Sequence, residues 1–375
     1  MSSNRCCPQI QPADQRALVA MSGGVDSSVA AHLLQRAGYE CTGATMHLFE
    51  AEAIGAELDS GCCSLADVED ARAVCQRLGI PHYTFNFSAD FAEQVIGRFS
   101  AAYLAGCTPN PCIDCNRFLK FERLLARALE TGYGYLATGH YARIQPPAEP
   151  GGRYLLQRGI DSNKDQSYVL YTLTQNQLAH TLLPLGDLTK EQTRQLAGEL
   201  GLATAEKPES QDICFVPDGD YAAFIRRIAA EAPTGGDIVD ELGVVLGRHD
   251  GIQNFTIGQR KRLGIATGHP LYVTAIDAAS STVIVGEIDK LYSKIARVGD
   301  VNLIATDQLE GPIRATAKHR YRGAEQSVTV RQLDADNLEV TFDEPQKAVT
   351  PGQALVIYDQ ETVIGGGSIY YTVHS

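Results

Sequence analysis

Short apolar runs alternate with stretches of helical period over the first part of the chain. Residues 17–21 read as a buried strand. After the turn Ser22–Ser28, a helix is predicted with Val29, Ala30, Leu33, Leu34 and Ala37 on one face and a stop at Gly38. A second strand is predicted over 41–49. The sequence Ser64-Leu-Ala-Asp67 has the form of a capping box, and Val68, Ala71, Val74, Cys75 and Leu78 follow on one face. Residues 82–87 alternate like a strand, helices are expected near 90–104 and 116–130, and a further strand over 135–141. Thr189 to Gln192 forms a second capping box, opening a helix over 189–200. Strands alternating with helices imply a doubly wound parallel sheet of the α/β class. From about Thr234 the pattern changes to short alternating runs separated by turn residues, at 271–276, 282–285, 327–333, 338–342 and 354–358. This predicts antiparallel β structure, with a small barrel at the C-terminus. The expected organisation is a polar leader over 1–15, the α/β domain over 16–217, a small central domain over 218–292 and the barrel over 293–375.

The sharpest local signal is SGGVDSS, Ser22 to Ser28, between strand and helix. Gly23 and Gly24 allow a tight turn and close approach to a ligand. The helix start behind them offers unpaired N–H groups and the positive end of the dipole. With the hydroxyls of Ser22, Ser27 and Ser28 this makes a phosphate cradle. A carboxylate at Asp26 repels phosphate unless a cation lies between, which points to Mg²⁺. The loop is not a Walker P-loop, which needs a lysine before its Ser/Thr. The plain alternative is a strand–helix turn with a Ser or Asp cap.

Composition places the chain among ordinary globular proteins, at 44% hydrophobic and 21% charged residues, and argues against a disordered chain. No run approaches the roughly 20 apolar residues of a membrane span, and the N-terminal stretch lacks a signal-peptide core, so a cytoplasmic location with no membrane contact is expected. The net charge of −13 confines any nucleic-acid contact to local basic patches: Arg226-Arg227, Arg260 to Arg262 and Lys318 to Arg322. Each is otherwise a solvated surface run.

Ten cysteines without regular spacing read as thiols rather than staples. Cys112 and Cys115 form a C-x-x-C behind Pro109 and Pro111, and Asn116 is a candidate cap for the next helix. That would put Cys115 beside a helix N-terminus, where the dipole favours thiolate. Half a zinc site or a redox pair are the other readings of this motif, although a complete C-x-x-C…C-x-x-C framework is absent. Cys214 lies in a predicted loop; alone, it is equally a small buried hydrophobe.

SGGVDSS resembles the loop of the PP-loop ATP pyrophosphatases, which cleave ATP between the α and β phosphates and adenylate an oxygen. The whole chain from Ala17 onward resembles the tRNA-specific 2-thiouridylase family. Beside SGGVDSS it carries TPNPCIDCN, ATGHYA, KDQSYVLY, ESQDICFV, FTIGQRKRLGIA and a late PGQ, in the family's order. The resemblance implies ATP-dependent 2-thiolation of the wobble uridine of tRNA. It also implies ATP and Mg²⁺, and a sulfur donor such as a cysteine desulfurase or a sulfur-relay protein. By position, Ala20, Met21, Ser22, Gly23, Gly24, Val25, Asp26 and Ser27 form the ATP loop, and Met46 and Gly139 line the nucleotide site. Cys115 falls at the catalytic nucleophile and Cys214 at the persulfide carrier; Cys115 then either attacks the persulfide, leaving a Cys115–Cys214 disulfide, or assists the sulfur transfer. Asn110, Pro111 and Cys112 match the contact to the target base. Lys164, Asp165, Gln166, His140, Arg320, Tyr321 and Gln353 match other tRNA contacts.

Two departures stand out. Cys112 replaces an Asp common in relatives, leaving Asp114 as the nearest carboxylate, and Arg262 replaces a glycine. Cys112, Cys115 and Cys214 are also three soft ligands, enough to hold a [4Fe–4S] cluster with one iron left for sulfide. Two competing readings are a PP-loop ligase acting on a small molecule and a thiol-rich RNA-binding or redox protein. The first leaves Cys115, Cys214 and the barrel without a role; the second leaves the phosphate loop unexplained.

Overall fold

A computed structural model describes residues 15–49, 65–207, 213–229, 234–266 and 268–374. The predicted leader, except its last residue, and the predicted cap at Ser64 lie outside these residues. The chain divides into two compact units, each built from separate stretches.

The first unit comprises residues 1–95, 112–217 and 361–363. Its centre is a five-stranded parallel sheet of β1 (Arg16–Ala20), β2 (Glu40–His47), β3 (His82–Asn86), β4 (Tyr135–Ala137) and β7 (Thr181–Leu182), in the order β3-β2-β1-β4-β7. Helix α1 (Val25–Arg36) follows β1, and α2 (Leu65–Leu78) precedes β3. Val19, Met21, Val29, Leu34, Val74 and Cys75 share one buried cluster, as their spacing predicts. A hairpin of β5 (Ala142–Gln145) and β6 (Leu155–Arg158) lies in the same unit. The predicted strand over 135–141 stops at Ala137. Its ladder ends where Thr138 N–H donates to Leu182 O (3.1 Å), and the chain then turns toward α1.

Helix formation in the next segment starts earlier than predicted. A continuous helical run, α3, spans 111–130. Pro111 is its first residue, where the missing N–H costs nothing and the fixed φ suits a helix. Asn116 is therefore not a cap but a buried residue inside the helix. Residues Cys115–Leu124 have the wider i→i+5 hydrogen bonding of a π-helix. The capping box at Thr189 forms as read and opens α4 (Lys190–Glu199).

The second unit comprises residues 96–111, 218–360 and 364–375. Strands β8 (Gly236–Val239), β9 (Val245–His249), β10 (Tyr272–Asp277) and β11 (Thr282–Gly286) make a sheet in the order β10-β11-β8-β9 over Ile238, Phe255, Val273, Val283 and Val285. The C-terminal strands are β12 (Tyr292–Leu303), β13 (Ile313–Lys318), β14 (Gln326–Gln332), β15 (Leu338–Lys347), β16 (Ala354–Asp359) and β17 (Thr362–His374). They run β12-β15-β14-β13-β16-β17, and β12 pairs with β17 to close a six-stranded antiparallel barrel, the predicted class. Alternate residues such as Val328, Val330, Val340 and Phe342 fill its interior.

Candidate active site

The phosphate loop joins β1 to α1. Gly23 has φ +68°, and a Cβ there would stand 2.4 Å from Asp67 O, so only glycine fits. Gly24 is the N-cap of α1, with no side-chain cap among the described residues. The alternative of a Ser- or Asp-capped turn is thus not what forms, and the first N–H groups of α1 are left for a ligand. The serines pin the loop instead. Ser27 Oγ accepts from Ser22 N (3.2 Å) and donates to Gly24 O (3.2 Å), while Ser28 Oγ donates to Gly24 O (2.8 Å). Met21 N–H donates to Ala44 O (2.8 Å), and Thr45 Oγ1 donates to Met21 O (3.0 Å), tying the loop's start to β2 just ahead of buried Met46. Gly139 packs on the loop: a Cβ there would lie 2.8 Å from Asp26 C and Ser27 N. The sequence expectations for Met46 and Gly139 thus fall on residues beside the loop.

Two lysines that sequence reasoning missed converge on this loop. Lys190 Nζ, at the start of α4, donates to both Asp26 oxygens (2.7 and 2.8 Å), and Tyr141 OH donates to Asp26 Oδ1 (2.8 Å). Lys207 Nζ donates to Asp67 Oδ1 (2.7 Å), Asp70 Oδ2 (2.5 Å) and Gly23 O (3.2 Å). Burial opposes the charge on Lys207, but the bonds to Asp67 and Asp70 outweigh it and hold its pKa above the ordinary lysine value. Asp26 is the carboxylate of the loop that could serve Mg²⁺, which takes one or two carboxylates alongside substrate phosphate oxygens.

The cysteines divide by environment. Cys41 and Cys75 are sealed in the sheet core, where burial pushes both thiols up to about 11. Cys115 and Cys214 are half-buried. Cys214 occupies the tip of a turn closed by Val216 N–H to Ile213 O (2.9 Å), so it is not a plain core hydrophobe. Its neighbour Phe215 is buried edge-on against Phe91 at 5.5 Å. The short helix Ser88–Phe91 also packs on Cys115–Leu124, and Asp90 pairs with Arg123 (2.9 Å). Both cysteine segments therefore bear on one small element. Cys112 is exposed in the first turn of the run 111–130, where the dipole acts most strongly, and Cys115 lies one turn further in. This geometry gives the iron–sulfur ligand set no support. Among the described residues no three His, Cys, Asp or Glu side chains stand close enough to share a metal ion, and Cys112 faces solvent.

The other expected contacts fall in varied settings. His140 is buried, its Nδ1 2.7 Å from Thr138 Oγ1, and burial with Lys120 nearby holds its pKa well below the ordinary value. Asp165 is buried, accepting from Gly159 N, Ser167 N and Ser167 Oγ, and Gln166 Oε1 accepts from Tyr141 N (3.0 Å). Both thereby shape the loop that presents half-buried Lys164. In the second unit, Gln353 Nε2 donates to Thr108 O (2.7 Å) and Thr108 N–H donates to Pro351 O (2.9 Å). The PGQ motif is thus folded onto the segment that leads to half-buried Asn110 and buried Pro111. Arg320 and Tyr321 are exposed, with Arg320 Nη2 donating to Lys347 O (3.3 Å).

Comparison with known proteins bears on this arrangement. Residues 15–218 match the family described as tRNA methyl transferase HUP domain, 222–287 its PRC-barrel domain, and 293–369 the aminomethyltransferase β-barrel domain. The tRNA-specific 2-thiouridylase MnmA of Acetivibrio thermocellus is 49% identical over 356 residues, covering 95% of this chain and 99% of the relative. The chain belongs to the tRNA-specific 2-thiouridylase family. Enzymes of the same name from Moorella thermoacetica (51% identical; 94% of this chain, 98% of the relative) and Clostridioides difficile (46%; 95% and 98%) are similar over the same span. Among the described residues no helix is long and apolar enough to cross a membrane.

Proposed function

We propose that this enzyme is an ATP-dependent tRNA-uridine 2-sulfurtransferase acting on the wobble uridine, in the cytoplasm. One observation carries the reading beyond family membership. The phosphate loop, Cys115 and Cys214 all belong to one compact unit, while its other described cysteines with strongly raised thiols, Cys41 and Cys75, are sealed away.

The C2 oxygen of uridine is a poor leaving group. Its attack on the α phosphate of ATP releases pyrophosphate and makes that oxygen part of AMP. The open N–H groups of α1 and the loop glycines receive the phosphates, and Mg²⁺, held by Asp26 and phosphate oxygens, would neutralise charge there. Sulfur arrives from a donor such as a cysteine desulfurase or sulfur-relay protein, as a persulfide on Cys214. The Cys115 thiolate attacks the inner sulfur, forming a Cys115–Cys214 disulfide and releasing HS⁻. The sulfide adds at C2, AMP departs with the C2 oxygen, and a thiol reductant resets the disulfide. Bond formation needs the two Cα atoms about 4.4–6.8 Å apart at that moment. Asn110, Pro111 and Cys112 are the candidates to meet the base, and Lys164, Arg320 and Tyr321 are candidates for other contacts to the tRNA.

The test is mass spectrometry of nucleosides from tRNA incubated with the chain, ATP, Mg²⁺ and a sulfide source. 2-Thiouridine at the wobble position is expected. With a persulfide donor in place of sulfide, Cys214→Ser should abolish product while ATP binding is retained. Full thiolation by that variant would overturn the sulfur-transfer scheme, and ATP–pyrophosphate exchange driven by a small acid and indifferent to tRNA would replace the reading with that of a small-molecule ligase.

A further inference from the structure

Lys190 is 8% exposed, and lysines are almost never so buried without a partner. Its position is held from several sides. Thr189 and Gln192 form the reciprocal capping box of α4, and the Lys190 N–H donates to Asp161 Oδ2 (3.0 Å). A cation in the first turn of a helix is opposed by the dipole, so α4 gains nothing locally from a lysine there. What the position provides is reach: the ammonium lies 2.7 and 2.8 Å from the two oxygens of Asp26, on the phosphate loop itself. Tyr141 OH holds Asp26 Oδ1 independently, and its ring lies 5.7 Å from the ammonium. Tyr141 N–H in turn donates to Gln166 Oε1 (3.0 Å). Asp26 thus keeps an anchor when the lysine leaves.

We propose that Lys190 is a phosphate-contacting residue of the nucleotide site: its ammonium, held against Asp26, passes to the phosphate oxygens of bound ATP, while Tyr141 steadies the carboxylate it leaves. The proposal rests on the ATP-binding part of the function above. A polyphosphate at the start of α1 brings several negative charges beside Asp26. The lysine then gains more by turning to them than by staying on one carboxylate. The bland alternative is that Lys190 only neutralises Asp26.

Calorimetry on the full chain, without tRNA, separates the two, with MgATP and adenosine as probes. Lys190→Met should weaken ATP binding about tenfold or more, the scale of one charge-assisted bond, and leave adenosine binding unchanged. Lys190→Arg should restore part of the loss. Because removing the lysine leaves a half-buried carboxylate without its cation and could unsettle the loop, the decisive comparison is Asp26→Asn against Asp26→Asn/Lys190→Met. The double variant should bind ATP about tenfold more weakly than Asp26→Asn alone. Equal affinity of those two, or an equal loss for adenosine, would overturn the proposal while leaving the sulfurtransferase reading intact. Failure of the unaltered chain to bind ATP would instead overturn that reading together with this one.

Discussion

Arg262 shows what one side chain does when the backbone favours glycine. It sits at φ 62°, in the left-handed region, where a non-glycine residue costs about 1–2 kcal/mol. Its side chain is exposed, so little packing offsets that strain. Arg262→Gly should therefore stabilise the chain, by less than about 1 kcal/mol once glycine's greater unfolded-state freedom is counted. A small rise in the urea midpoint would show it; a fall would mean that the arginine makes a compensating contact. At this scale the sequence was most legible where backbone geometry demands one residue type. Gly23 and Gly139 are instances, and the motif around Arg262 marked it as a departure. Lys190 was not legible, because its partner Asp26 lies 164 positions away and only the packing of α4 on the loop joins them. The capping box at Thr189 announced the helix but not where its first side chain points.

Elements were read well where period and punctuation agree, as for α1, α4 and the barrel strands β14, β15 and β16, whereas β12, β13 and β17 were not read. The helix expected near 116–130 starts earlier, at Pro111, because proline suits the first position of a helix, where its missing N–H costs nothing. The cost of that geometry is visible: Asn116 Oδ1 is buried with no hydrogen-bond partner among the described residues, while Nδ2 reaches Val169 O at 3.5 Å. In the barrel, His319 follows β13 and sets its ring edge-on to Phe342 of β15 at 5.9 Å. Burial, with Arg320 adjoining, pushes His319 from 6.5 to about 4. The unfolded chain takes up this proton near pH 6.5, the folded chain only near 4. The neutral ring's contribution is therefore complete above pH 6.5 and lost as pH falls toward 4, on the order of 3 kcal/mol. His140 acts in the same direction. His319→Leu should flatten the decline in Tm between pH 6.5 and 4; an unchanged slope would assign acid sensitivity elsewhere.

The whole molecule carries a net charge of −13, yet Arg260, Lys261, Arg262, Arg320 and Arg322 are all exposed. Local cationic patches are what a polyanionic substrate requires of an acidic protein. Arg260→Glu with Arg262→Glu should weaken tRNA binding and reduce the slope of log K against log salt, by up to about two. Arg262→Gly serves as the control for backbone relief, and binding that is unchanged by the double reversal would exclude this patch. The change of pattern near Thr234 made the α/β and β-rich parts legible. The assembly of each compact unit from separated stretches, with 96–111 joining 218–360, was not, since no local pattern records which distant segments pack together.

The deep thiols Cys41 and Cys75 make the protein its own clock for unfolding. With both held near 11, almost no thiolate exists at neutral pH, and an alkylating reagent finds them only when the sheet opens. The rate at which these two sulfurs acquire a label therefore times the opening of the scaffold around the nucleotide loop, independently of any chemistry at Cys115 or Cys214.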